Sequence, residues 1–200
     1  MLRWIYGENM TITNLKKNLI LIKKDKVFLF IVFLIFLMCL LKVIFWFFNF
    51  DMVSSSTNSD QNGIYFVNLN KPKPIVKGEY VAFCISDQKA LNLAYKFHLK
   101  SNGICKNHST PLLKHVCALP GDTITINSNN DLLINGILQN NLKVIQSNKL
   151  YYKTNWKNGY KLKEDEYFIC GTNKLSFDSR YLGAININDI VATAILLKGY

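Results

Sequence analysis

The sequence has no Cys-x-x-Cys pair and no His/Cys spacing of the kind that holds zinc, although it carries five cysteines. It has three histidines, His98, His108 and His115. None is flanked by the carboxylate and nucleophile that a Ser-His-Asp triad needs. Paired carboxylates for acid–base work are missing, as are a glycine-rich phosphate loop and any internal repeat. The 13 acidic residues are outnumbered by 24 Lys and Arg, giving a formal charge of +11. That surplus would suit nucleic acid, but the basic residues are scattered and no standard nucleic-acid-binding motif occurs. These absences leave no expected metal, cofactor or nucleic-acid partner.

What the chain does have is one long apolar run. Val27 to Phe48 reads VFLFIVFLIFLMCLLKVIFWFF, with Lys42 as its one charge. At about 1.5 Å per residue it reaches roughly 33 Å, enough to cross a bilayer core of about 30 Å. Lys42 lies near the far end, where its stem can snorkel, and Trp46, Phe47, Phe48 and Phe50 crowd the same end. A cleaved signal peptide would have a shorter apolar region ending in small residues, so the run reads as a retained anchor. Before it stand Arg3, Lys16, Lys17, Lys23, Lys24 and Lys26 against Glu8 and Asp25. Positive flanks stay cytoplasmic, which puts residues 51–200 outside, in a bacterial setting the periplasm of the inner membrane. Scattered positive charge there is expected to favour anionic membrane lipid.

The expected organisation is a basic cytoplasmic segment (1–26), a transmembrane helix (27–48), a juxtamembrane segment (49–63) and a β-rich domain (64–200). Asp51–Asn62, DMVSSSTNSDQN, is small and polar and reads as flexible linker. Strand patterns follow at Ile64–Leu69, Glu79–Ile85, Leu112–Leu119, "TITI", "EYFICGT" and "DIVATAILL". Gln88–Lys100 is the one good helical stretch, with Leu91, Ala94, Tyr95 and His98 on one face. "DLLINGILQ" has the form of a hairpin turning at Asn135-Gly136. The rest of Asn127–Lys163, rich in Asn and Lys, reads as surface loop. The fold class is therefore mainly β, a compact domain behind a single N-terminal membrane helix. Cys84, Cys117 and Cys170 lie in apolar strand-like runs and read as buried free thiols. Cys105, in a polar loop of a compartment that permits disulfides, is the candidate to pair, with a partner the sequence does not reveal.

Serine with lysine is the catalytic chemistry left. A lysine acts as a general base only when neutral, and burial among apolar side chains lowers its pKa. Lys114, set among Leu112, Leu113, Val116 and Leu119, is the candidate; an edge-strand lysine with its amine in water is the alternative.

"LLKHVCALPGDTITI" resembles the lysine-bearing motif of the type I signal peptidases, Lys-Arg-Val-x-x-Leu-Pro-Gly-Asp, met here as Lys114, His115, Val116, Leu119, Pro120, Gly121 and Asp122. "GTNKLSFDSRYLG" resembles the last motif of the same family, through Gly171, Asn173, Ser176, Asp178, Ser179, Arg180 and Gly183. The order and separation of the motifs agree as well. The nucleophile pattern, Ser-Met-x-Pro, is shortened in the conjugative-transfer (TraF-type) branch to Ser-Met-Pro-x-Gly-x-Tyr. Here the register is Ser59-Asp60-Gln61-Asn62-Gly63-Ile64-Tyr65, so Asp60 and Gln61 replace Met and Pro.

This resemblance implies a signal-peptidase-like β domain and a Ser-Lys dyad. Ser59 would be the nucleophile and Lys114 the base. The oxyanion would be held by the Ser59 N–H and the Thr57 hydroxyl. Ser176 would orient Lys114 by a hydrogen bond, while Asp178 and Arg180 would pair and fix the loop. The implied partners are precursors with small residues before the cut, of pilin type in the conjugative branch. A general signal peptidase is the alternative enzyme, and a catalytically weak membrane-bound assembly protein of the same fold is the alternative outside enzymes.

Overall fold

The computed structural model describes residues 12–55, 60–70, 74–96, 99, 101–145, 156 and 159–200. The chain forms two units, Met1–Phe48 and Asn49–Tyr200.

Among the described residues the first unit holds one helix, α1 (Ile12–Phe47), which begins well before the expected span. Within it, the 23 residues Asp25–Phe47 are long and apolar enough to cross a membrane. Almost every side chain from Asp25 onward is exposed, with apolar groups all round. A helix apolar on every face and covered by no protein suits lipid, which fits a single-pass anchor.

The second unit is mainly β. One antiparallel sheet contains β1 (Phe50–Ser55), β2 (Gly63–Asn68), β3 (Tyr80–Phe83), β4 (Leu112–Ala118), β9 (Glu166–Cys170), β10 (Ile185–Asn186) and β11 (Ile190–Gly199), in the order β1-β2-β11-β3-β4-β9-β10. A smaller sheet contains β5 (Thr123–Ile126), β6 (Asp131–Ile134), β7 (Ile137–Lys143) and β8 (Tyr160–Lys161), in the order β7-β6-β5-β8. The strands β2, β3, β5 and β6 alternate buried and half-buried positions, the period of two that their sequences carry. β6 and β7 turn through Asn135 (φ 51°) and Gly136 (φ 77°), the left-handed pair that a two-residue hairpin asks for.

Two sequence expectations need correction. Asp51–Asn62 is not linker throughout, because Phe50–Ser55 pairs residue for residue with β2. Its side chains are mostly exposed, so it leaves no alternation in the sequence. The second correction concerns the cysteines. Cys84 is joined to Cys105, and Cys117 to Cys170, with Cα separations of 5.7 and 6.0 Å. Cys84, Cys117 and Cys170 are thus not free thiols: pairing of separate strands and loops brings each to a partner far away in sequence. Cys39 is the free cysteine. The hairpin β6–β7 and strand β8 also lie within the Asn/Lys-rich stretch that otherwise reads as loop. The helix α2 (Gln88–Lys96) is shorter than expected, and His98 and Lys100 lie outside the described residues.

The core has three parts. One packs Val81, Phe83, Val116, Ile169 and Ile190 against Ala90, Leu91 and Ala94 of α2. The Asp87 side chain starts that helix by accepting the Ala90 N–H at 2.8 Å. A second part joins the small sheet to the ends of β4 and β9, around Ile124, Leu132, Trp156, Phe168 and Tyr181. The third is Tyr65, Val67, Ala192 and Ala194. There β2 and β11 approach so closely at Gly63 that a Cβ would lie 2.4 Å from Lys198 O and 2.6 Å from Leu196 Cδ1.

Candidate active site

β4 carries Lys114 into the domain, where the residue is 4 % exposed. In register its neighbour on β3 is Val81. The Nζ donates to Leu113 O at 3.0 Å. Burial pushes the Lys114 ammonium below the ordinary lysine range; the Asp60 and Asp178 charges oppose this and the Arg180 charge assists it. A lysine whose charge is disfavoured in this way can present a lone pair to an acidic hydrogen.

The turn after β4 rests on Asp122. Its carboxylate accepts the Leu119 N–H at 2.8 Å, while its own N–H returns to Leu119 O at 3.0 Å. Gly121, with φ 88°, permits the bend. The motif Leu-Pro-Gly-Asp therefore fixes where β4 ends and β5 begins.

The stretch from Gly171 to Gly183 wraps a buried ion pair. Asp178 and Arg180 side chains are both fully buried, with Nη2–Oδ2 at 2.7 Å and Nε–Oδ1 at 2.9 Å. The same carboxylate accepts the N–H groups of Gly171 (2.9 Å) and Arg180 (3.1 Å), so Asp178 caps the short helix α3 (Ser179–Leu182). The guanidinium also donates to the carbonyls of Asn173 (2.7 Å) and Lys143 (3.3 Å). Burial disfavours the Arg180 charge, but the Asp178 hydrogen bonds and charge outweigh that and raise its pKa. Ser179 Oγ accepts the Ile169 N–H at 2.9 Å and ties the loop to β9. β9 is itself the neighbour of β4, through Val116↔Ile169 and His115↔Cys170. Ser176 Oγ is buried without a hydrogen-bond partner, so the bond to Lys114 expected of it is not made in this structure.

Ser59 and Thr57 lie outside the described residues, and so does any geometry between Ser59 and Lys114. The next residue, Asp60, is described. Its Oδ2 lies 3.0 Å from His115 Nδ1, with the Asp60 side chain only 5 % exposed. Burial works to raise the Asp60 carboxyl. Its hydrogen bond to His115, the His115 charge, the Gln61 N–H and the Lys114 charge outweigh burial and hold it below the usual carboxylate range. No sequence pattern points to this pair, since 55 positions separate its members. On its other side His115 Nε2 lies 3.5 Å from Cys170 Sγ. Donor atoms of His115, Cys117 and Cys170 fall within 4.8 Å of one another, yet the two sulfurs are bonded to each other and offer no thiolate to a metal.

Comparison with known proteins gives one family. The family model described as signal peptidase, peptidase S26, matches residues 6–197. No curated protein matches the chain.

Proposed function

The chain belongs to the peptidase S26 family of signal peptidases, and from that premise we propose that it is a membrane-anchored serine endopeptidase that removes leader peptides with a Ser59–Lys114 dyad. One observation carries this reading. Asp60, next to Ser59, is hydrogen-bonded to His115, next to Lys114. The contact joins the residue after the expected nucleophile to the strand that carries Lys114, which supports the dyad reading. Lys114 is buried, with its charge disfavoured.

In the proposed mechanism Ser59 Oγ attacks the scissile carbonyl, and neutral Lys114 Nζ takes the hydroxyl proton. The Ser59 N–H and the Thr57 hydroxyl hold the oxyanion, one such donor being worth about 3–4 kcal/mol. As the tetrahedral species collapses, the C–N bond breaks and Lys114 gives the proton to the departing amine. Water then attacks the acyl-serine as Lys114 takes its proton; the C–Oγ bond breaks and Lys114 returns the proton to Ser59 Oγ. Asp178 and Arg180 neutralise each other, so the loop is fixed without leaving a bare carboxylate to hold Lys114 charged. Ser176, with its hydroxyl buried and unpartnered, is available to the amine.

The substrates in this reading are exported precursors with small residues before the cut. The Ser59/Gly63/Tyr65 register favours the pilin-type precursors of a conjugative transfer system over general secretory proteins. The close β2–β11 approach at Gly63 supplies a physical reason for glycine in that register. The basic residues that precede the apolar span, Lys16, Lys17, Lys23, Lys24 and Lys26, favour a cytoplasmic N-terminus and a periplasmic β unit.

The test is cleavage of a pilin-type precursor in detergent or liposomes by the wild-type chain, Ser59→Ala and Lys114→Ala. Cleavage by the wild type alone is expected. Equal cleavage by Ser59→Ala would move the nucleophile elsewhere. Equal cleavage by Lys114→Ala would remove the dyad.

A further inference from the structure

We infer that Asp60 and His115 are a positioning pair: their contact holds the peptide after Ser59 against β4 and sets the charge environment of Lys114. This rests on the dyad reading and gives a role in it to the two residues whose contact supports it.

The geometry is specific. Asp60 presents both oxygens to partners, Oδ2 to His115 Nδ1 at 3.0 Å and an oxygen to the Gln61 N–H at 2.9 Å. Gln61 O accepts the Tyr65 hydroxyl at 2.5 Å, and Tyr65 is itself 1 % exposed in β2. The segment is thus fixed at both ends, to β4 through Asp60 and to β2 through Gln61. His115 is held in its turn. Its ring meets Tyr80 edge-on at 6.0 Å between centroids, and its second nitrogen faces Cys170 Sγ at 3.5 Å. Cys170 is locked to Cys117 on the strand that carries His115.

Stability alone is a poor reason for such a pair. Taking the Asp60 carboxylate out of water carries a desolvation penalty that its hydrogen bonds must first offset. What the pair does supply is direction, because it is satisfied in one arrangement and costly in others. Here that arrangement ties Asp60 to β4, the strand that carries Lys114.

The pair also acts through charge. Among the described residues, the charges that reach Lys114 include Asp60 and Asp178, which favour its charged form, and Arg180, which disfavours it. Among the described residues, the groups that interact with Asp60 include His115, Lys114, Arg180 and the hydroxyls of Tyr65 and Tyr80. Removing the Asp60 charge therefore leaves Lys114 easier to deprotonate, whereas a structural defect that let water reach Lys114 would make it harder to deprotonate, since burial is what disfavours its charge.

The experiment uses the full chain in detergent and a precursor with Ala-x-Ala before its cut. Variants are Asp60→Asn, His115→Gln and the double variant, with Ser59→Ala and Lys114→Ala as controls. Each single variant is expected to lower kcat by about 10- to 100-fold, the scale of a small misplacement of reacting groups, with KM within about twofold of wild type. The double variant is expected to be no worse than the poorer single, as for two members of one interaction. In Asp60→Asn the acidic limb of kcat/KM should move to lower pH. Thermal unfolding of each variant identifies any that fails to fold, and Asp60→Asn, which keeps the side-chain shape, decides if His115→Gln does not fold. With both controls inactive, single-variant effects that multiply in the double, or an unmoved limb in Asp60→Asn, would overturn the inference. Active controls would instead sink the dyad itself, and the pair would then have nothing to position.

Discussion

Asp178→Asn is the substitution whose effect is best determined by the structure. The change conserves shape and removes one charge. In the wild type the carboxylate accepts four N–H groups, from Gly171 N, Arg180 N, Arg180 Nε and Arg180 Nη2. An asparagine offers one oxygen and one NH₂, so whichever way the amide turns, two of these donors face another donor. Arg180, 0 % exposed, keeps its charge and loses its counter-ion. Breaking a buried pair on one side costs about 3–5 kcal/mol. For a domain of this size each kcal/mol shifts the melting temperature by about 2–4 °C, so a drop on the order of 10 °C is expected. The assay is thermal unfolding of the detergent-solubilised chain by circular dichroism. A second variant tests the cause. Asp178→Asn with Arg180→Met removes the stranded charge and should recover part of the loss, although the carbonyls of Asn173 and Lys143 then lack their donor. If Asp178→Asn melts within about 2 °C of wild type, or the double variant is worse than the single, the electrostatic reasoning fails.

Further outcomes can be checked alongside. Because burial disfavours the Lys114 charge, cleavage should rise with pH through a midpoint below the ordinary lysine value of about 10.4, and be lost as pH falls below that midpoint; a pH profile of kcat/KM measures it. The same shift means that the unfolded chain binds the proton more readily, so Lys114 destabilises the fold at neutral pH and that cost fades as pH rises towards the unfolded value. Gly63→Ala would push a methyl group against Lys198 O, which is backbone and cannot swing away; a loss of about 1–3 kcal/mol is expected in denaturant unfolding. Thiol titration of the denatured, unreduced chain should find one reactive cysteine, Cys39, and reduction should release the other four. Replacing Cys84 and Cys105 by serine opens a loop of 21 residues, at a cost of about 3 kcal/mol by chain entropy, readable as a lower melting temperature.

Much of this architecture is legible in the sequence, and the parts that are not share a cause. β2, β3 and β4 announce themselves as short apolar runs bounded by turn residues, the mark of strands that bury side chains in a core. β1 does not, since an edge strand with exposed Met52 and Val53 and polar neighbours has no buried face to impose a pattern. The Asn135-Gly136 turn is legible because its conformation is a property of two residues. The Cys84–Cys105 and Cys117–Cys170 links are not, because they depend on which strands lie side by side. The Asp178–Arg180 pair is two residues apart and local, and the motif that contains it suggests it. The Asp60–His115 pair needs the register of the whole sheet, and in the sequence each residue is merely polar.

The place of β11 in the large sheet bears on how the protein comes into being. It lies between β2 and β3, two strands that are near neighbours in the chain but are made more than a hundred residues earlier. Until residues 190–199 leave the ribosome, β2 and β3 each lack the partner that joins them, and β1–β2 remains a lone hairpin, marginal by itself. Such long-range pairing is slow to form. An anchor inserted early would therefore hold an unfinished domain at the membrane while synthesis continues. In the proposed reading, β2 with the segment before it and the block β3-β4-β9 supply different halves of the dyad, so proteolytic competence would arrive only with the last strand. A nascent copy of such a peptidase would be tethered among potential substrates, its own chain included, without yet being able to cut them.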